Sequence, residues 1–238
     1  MSGILYIISA PSGSGKSTLV NEMRKWIQHL DFSISYTTRQ PRGSEQDGRE
    51  YHFISRGQFE EMIGNDEFLE YADVFGNYYG TTKSVLRHAA EQGKDLLLDI
   101  DVKGERQVKQ KMPDAVSIFI LPPSRKELES RLRKRSESEN VHSEEIIRRR
   151  LDEARKEIEN YPNYDYILIN DRLEQSVDRL RAIVLGERLK RSGKPPSPDE
   201  RRYLEAAEKS LKANMEEKIR SILASFDVSF PTAIETQR

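Results

Sequence analysis

Four short apolar runs stand out along the chain: Ile4–Ile8, Leu96–Ile100, Val116–Leu121 and Tyr166–Ile169. Runs of this length, rich in β-branched residues and without polar alternation, predict strands covered on both faces. Segments of helical periodicity separate them. After the first run, Leu19, Val20, Met23, Trp26, Ile27 and Leu30 share one face of a predicted helix. The alternation of strand and helix predicts an α/β fold with a doubly wound parallel sheet. Ser33–Thr38 reads as a further strand.

The texture changes between Gln40 and Lys83. Pro41, Gly43, Gly48, Gly76 and Gly80 punctuate short aromatic pieces such as Tyr51–Ile54, with one helix candidate at Gln58–Gly64. This predicts a small β-rich insertion over 33–83, not another βα unit. From Arg125 to Arg155 the pattern is helical and highly charged, broken by a loop at Ser136–Ser143. Core segments then cover 1–32, 84–123 and 156–192, with 124–155 as a helical excursion. A Pro-rich linker, 193–198, precedes a tail over 199–238. There Asp199 and Glu200 mark a helix start, and Leu204, Ala207, Leu211, Met215, Ile219, Ile222 and Phe226 recur at helical spacing. This stripe must be covered, either by its own domain or by another subunit.

Composition removes several classes of function. The 238 residues carry 39 basic and 40 acidic side chains, for a net charge of −1. That balance argues against a general nucleic-acid binder. There is no cysteine, so disulfides, thiol catalysis and thiolate metal sites are excluded. The four histidines are scattered without metal-ligand spacing. No apolar stretch is long enough to span a membrane, and no signal peptide is expected before the first strand. A cytoplasmic location is the expectation.

The chemistry begins at Ala10-Pro11-Ser12-Gly13-Ser14-Gly15-Lys16-Ser17-Thr18, between the first strand and the first helix. Strand, glycine-rich loop, Lys-Ser and helix form the phosphate-cradling arrangement. Loop amides and the positive helix end face the anionic oxygens. Lys16 is expected to reach the β- and γ-phosphates, and the Ser17 hydroxyl to hold Mg²⁺. Ala10 stands where the general pattern opens with Gly.

The insertion supplies a second set of groups. Arg39 and Arg42 flank Pro41, and arginine is suited to bidentate phosphate binding. Tyr51 and Tyr79 add hydroxyl donors. Glu70 is a lone acid in Phe68-Leu69-Glu70-Tyr71. A carboxylate only accepts, and guanine presents an adjacent pair of donors that fits it; adenine does not. Singly, these residues read as ordinary surface or core. Clustered in one insertion behind a phosphate loop, they read as a second nucleotide site.

Here the chain resembles the guanylate kinase family, in its bacterial form. The resemblance rests on SAPSGSGKST (9–18), SYTTRQPR (35–42), FGNYYGT (75–81), LDIDVKG (98–104), SIFILPP (117–123) and YDYILIND (164–171), in family order. It covers about residues 3 to 190 and leaves the tail outside. It implies ATP and GMP or dGMP as substrates, with Mg²⁺ accompanying ATP. It implies that Ser12, Gly13, Ser14, Gly15, Lys16, Ser17 and Thr18 bind ATP. It implies that Ser35, Glu70 and Thr81 read the guanine, while Arg39, Arg42, Tyr51 and Tyr79 hold the GMP phosphate. Gly80 belongs to that set, and Asp101 lies near the monophosphate. Asp99 is expected near Mg²⁺, and Asn170 beside the adenine. Arg131, Arg135 and Arg150 resemble arginines of a lid, 124–155, that closes over the transferring group, with Lys16, Arg42, Arg135 and Arg150 as the catalytic set. The loop 136–143 is about four residues longer than the family pattern, and Arg172 stands where many members carry an acid. Two alternatives are a related kinase acting on a sugar phosphate and a non-catalytic binding module of the same family. Glu70 and Ser35 argue against the first, and intact Gly15-Lys16-Ser17 against the second. A homo-oligomer formed through the C-terminal helix is left open.

Overall fold

A computed structural model describes residues 3–74, 76–138 and 143–230. Residues 1–2, Phe75, residues 139–142 of the expected loop 136–143 and the last eight residues lie outside it. The chain divides into two compact units: Met1–Ser9 with Gln28–Ser117, and Ala10–Ile27 with Ile118–Arg238.

In the first unit, β1 (Leu5–Ser9), β2 (Leu30–Phe32) and β7 (Asp95–Asp99) pair in parallel, with β7 central. All five residues of β1 are buried. Leu5, Ile7, Leu96 and Leu98 enter one core with Ala89 of α3 (Lys83–Glu91) and Val108 of α4 (Val102–Lys111). The insertion forms its own sheet from β3 (Tyr36–Thr37), β4 (His52–Phe53), β5 (Phe68–Val74) and β6 (Asn77–Thr82), in the order β4-β3-β6-β5. Helix α2 (Arg56–Gly64) starts at a Ser55–Gln58 capping box. Its Phe59 stacks on Phe68 and Tyr78, with centroids 4.3 and 5.1 Å away, and so braces the β5–β6 hairpin.

In the second unit, α1 (Lys16–Arg24) packs on α7 (Leu173–Ser192), and β8 (Val116–Leu121) pairs in parallel with β9 (Tyr166–Ile169) from Ile118 onward. Helices α5 (Arg125–Ser138) and α6 (Glu144–Ile158) pack together. Arg133 joins Glu129 of α5 to Glu144 of α6 on the solvent-exposed side of the pair.

Three sequence expectations are corrected. The first helix stops at Arg24, and Trp26 is 61% exposed. His29 takes a left-handed conformation (φ 58°), and Leu30 opens β2 instead of closing the helix. The break in the charged segment also begins later than Ser136, because α5 runs on to Ser138. The 33–38 segment contributes only the two residues of β3.

The tail is not one helix. It forms α8 (Pro198–Glu208) and α9 (Glu216–Ser225), with a 3-10 turn at Lys212–Asn214 between them. The break has a cause. Ile167 N donates to Ser210 O (2.8 Å) and Lys212 N to Asp165 O (3.1 Å), so Ser210–Lys212 line the free edge of β9. An edge strand left open presents unpaired backbone groups. Ile219, Ile222, Leu223 and Phe226 are buried, and Gly186 lets α8 approach α7, where an added Cβ would stand 3.1 Å from that of Ala207. Of the two arrangements left open, the stripe is covered by its own chain. Among the described residues no helix is long and apolar enough to cross a membrane.

Truncation after Ser192 should therefore expose the β9 edge and the apolar face of α7. The melting temperature should fall by more than about 5 °C, since each kcal/mol is worth about 2–4 °C at this size. An unchanged melting temperature would show that the tail is not part of the fold.

Candidate active site

The phosphate loop follows β1 directly. Gly13 and Gly15 sit at φ 88° and 86°, backbone that L side chains resist, and Gly15 caps α1. Ser14 N donates to Pro11 O (3.0 Å), closing the turn. The Ser14 carbonyl is fixed from outside. Asn170 Nδ2 donates to it at 2.8 Å, and Arg131 Nη1 at 3.3 Å. Arg131 also bonds Asn170 O and Glu127. An added Cβ at Gly15 would lie 2.5 Å from Asn170 Nδ2, so glycine is required there twice over. Two groups expected to contact ATP thus spend their side chains on the loop. Asn170 is buried, and its amide braces the cradle. Ser12, Ser17 and Thr18 are exposed, and Lys16 is half-buried. Arg135 is exposed on α5 and Arg150 half-buried on α6.

The second set of groups lies in the other unit, and strand register assembles it. In the hairpin Glu70 stands opposite Thr81, and Tyr36 of β3 opposite Gly80. That brings the Ser35 hydroxyl to 3.3 Å from the Thr81 hydroxyl. All three polar side chains are buried, with Glu70 3% exposed. Burial pushes the Glu70 carboxyl up to about 7, while hydrogen bonds from Thr81 oppose the rise and the nearby Asp101 charge adds to it. Asp101 caps α4, accepting from Lys103 N (3.0 Å) and Gly104 N (2.8 Å). A Cβ at Gly104 would fall 2.5 Å from Glu70 Oε2, so the carboxylate sits against bare backbone at the start of α4. At Gly80 a Cβ would strike the Phe68 ring at 2.8 Å.

Arg39 lies beside this pocket, 9% exposed. Its Nε donates to the Tyr79 hydroxyl (3.1 Å), and its guanidinium stands over the Tyr51 ring at 5.3 Å. Its two terminal nitrogens grip Glu45 at 2.9 and 3.1 Å. Arg42 is exposed, and its backbone N donates to Glu45 Oε2 (2.8 Å). The register therefore gathers Ser35, Arg39, Glu70, Tyr79 and Thr81, with Tyr51 joined by its ring. Asp99 ends β7. Glu45 and Gly104 were missed. An acid three residues after Arg42 was a usable signal for Glu45; nothing local marked Gly104.

A phosphate loop between a buried strand and a helix on a parallel α/β sheet places the chain in the class of P-loop kinases. The comparisons narrow the class. The guanylate kinase family profile matches residues 2–187. A guanylate kinase of Koribacter versatilis is 58% identical over 226 residues, 95% of this chain and 97% of that one. One from Carboxydothermus hydrogenoformans is 52% identical over 188 residues, 79% of this chain and 90% of that one. The crystal structure of guanylate kinase from Anaplasma phagocytophilum superposes with a TM-score of 0.65 at 33% identity, covering 78% of this chain and 86% of that one. The chain belongs to the guanylate kinase family.

The raised Glu70 carboxyl has a definite sign. An acid held neutral by the fold stabilises it fully below the ordinary value of 4.5, and that stability is lost as pH rises through about 7. The loss is on the order of 3 kcal/mol. Urea denaturation of the ligand-free protein at pH 5 and pH 8 should show the wild type losing ground to Glu70→Gln by that order. Parallel pH dependence in the two proteins would show that Glu70 is not held neutral.

Proposed function

We propose that this chain transfers the γ-phosphoryl group of ATP to GMP, giving ADP and GDP. The observation that carries the reading is Glu70: a buried carboxylate, flanked by the Ser35 and Thr81 hydroxyls, on a chain with a complete phosphate loop. The carboxylate accepts from guanine N1–H and N2–H₂, while a hydroxyl can donate to the base. Adenine offers no such donor pair, and a sugar phosphate no base at all. dGMP presents the same base edge and phosphate, so the same groups would take it as a substrate.

Charge neutralisation and in-line positioning do most of the work in phosphoryl transfer. Lys16 and the loop amides bind the β- and γ-phosphates. Arg135 and Arg150 neutralise charge on the transferring group, while Arg131 and Asn170 hold the loop in shape. The GMP phosphate, held by Arg39, Arg42, Tyr51 and Tyr79, is anionic at neutral pH and attacks without a general base. Among the described residues no cluster of three or more His, Cys, Asp or Glu could cage a metal. Hard, singly placed oxygens suit a Mg²⁺ ion that arrives on the nucleotide and keeps its waters. Ser17, whose hydroxyl opens the helix behind the loop, is the residue that would hold it, and bound there it would offset phosphate charge. A cytoplasmic location belongs to the same proposal.

A coupled assay with GMP, dGMP, AMP and a sugar phosphate tests the reading, with activity expected for the first two alone. Glu70→Gln places an amide donor against a guanine donor, and a buried unpaired donor costs roughly 1–3 kcal/mol. Its kcat/KM for GMP should fall about tenfold or more, with the KM for ATP unchanged. Lys16→Met should lower kcat by orders of magnitude with the fold intact. Equal GMP kinetics in Glu70→Gln, or near-normal turnover in Lys16→Met, would contradict the corresponding assignment.

A further inference from the structure

Arginine carries five N–H donors and no acceptor. In Arg39, Nε is spent on the Tyr79 hydroxyl, one Nη1 hydrogen on Gln40 O (2.6 Å), and one hydrogen from each terminal nitrogen on Glu45. Four of the five donors are therefore committed within the protein. A free arginine could grip a phosphate with two parallel bonds; this one can offer a single Nη2 hydrogen. Glu45 meanwhile does a second thing. Its Oε2 also accepts from Arg42 N, so one carboxylate ties the guanidinium of Arg39 to the backbone that carries Arg42. Burial opposes its charge, yet the bonds from Arg39 and Arg42 outweigh burial and hold its carboxyl below the usual range.

We infer that Glu45 is a positioning residue for the acceptor phosphate, holding Arg39 in a fixed plane and the Arg42 turn at a fixed distance from it. The inference rests on the GMP reading above. Arg39 then acts through one oriented N–H and by fixing the Tyr79 hydroxyl, and the exposed guanidinium of Arg42 supplies the bidentate grip. A rival geometry would have the carboxylate merely keep the phosphate's place and leave when GMP arrives. The two differ in sign. Removal of a placeholder frees Arg39 and tightens GMP; removal of a positioning residue releases both arginines and weakens it.

Glu45→Ala and Glu45→Asp, assayed as full chains, separate them. The KM for GMP should rise about tenfold or more in Glu45→Ala, with kcat at saturating GMP and the KM for ATP within about threefold. Calorimetry should show GMP affinity lost and guanosine affinity kept, because guanosine lacks the phosphate. Glu45→Asp, which keeps a two-oxygen acceptor, should recover part of the loss. A lowered or unchanged KM for GMP in Glu45→Ala overturns the inference, as does an equal loss for GMP and guanosine. A wild type that leaves GMP unphosphorylated defeats the functional reading instead. The role of Glu45 is then decided by inorganic phosphate, which should raise the melting temperature of the wild type more than that of Glu45→Ala, the phosphate loop protecting both proteins alike. Equal protection of both would overturn it.

Discussion

A buried carboxylate, Glu70, is the constraint around which the first unit is arranged. Glu70 is worth burying only if something repays the lost hydration. Thr81 supplies part of that support, and burial shifts the rest of the balance toward the neutral acid. Much else follows from this placement. The hairpin register must set Thr81 opposite Glu70, β3 must bring Ser35 alongside, and the first turn of α4 must carry a residue that has no side chain, Gly104. The stacked Phe59, Phe68 and Tyr78 keep that register from slipping.

The second unit answers a different demand. A loop that binds triphosphate must hold its amides inward before the ligand arrives, or affinity is lost to ordering it. Two glycines permit the turn, and Asn170 and Arg131 hold the Ser14 carbonyl from behind. Preorganisation here comes from side chains far away in sequence, on α5 and at the end of β9. The tail then protects the same unit by covering the outer edge of β9.

What was legible in the sequence was what is local. The phosphate loop is contiguous, so its spacing alone was enough. The strands β1, β7, β8 and β9 were readable because strands buried on both faces must be apolar throughout. Glu70 was readable as one acid among aromatic neighbours. Local pattern misled where it outlasted the element that produced it. Trp26, Ile27 and Leu30 keep a helical period after Arg24, yet the left-handed His29 turns the chain into β2. Leu211 and Met215 keep the period of the tail, yet backbone pairing of Ser210 and Lys212 with β9 breaks the helix between them. Contacts that join distant positions left no local trace. Arg39 and Arg42 look alike in sequence, but only the folded turn shows one committed to Glu45 and the other exposed. Gly104 is ordinary until Glu70 is placed against it.

The central claim is that guanine is read by a carboxylate whose burial leaves it about half protonated at pH 7 before GMP binds. Binding must then expel a proton. Calorimetric titration of GMP into the wild type at pH 7, in two buffers of different ionisation enthalpy, measures it directly. The GMP phosphate, with a second pKa near 6, contributes equally to wild type and Glu70→Gln, so the difference between them isolates the carboxyl. With that group near 7, the wild type should release about half a proton more per GMP than Glu70→Gln. Equal release by the two proteins, or proton uptake by the wild type, would contradict the account.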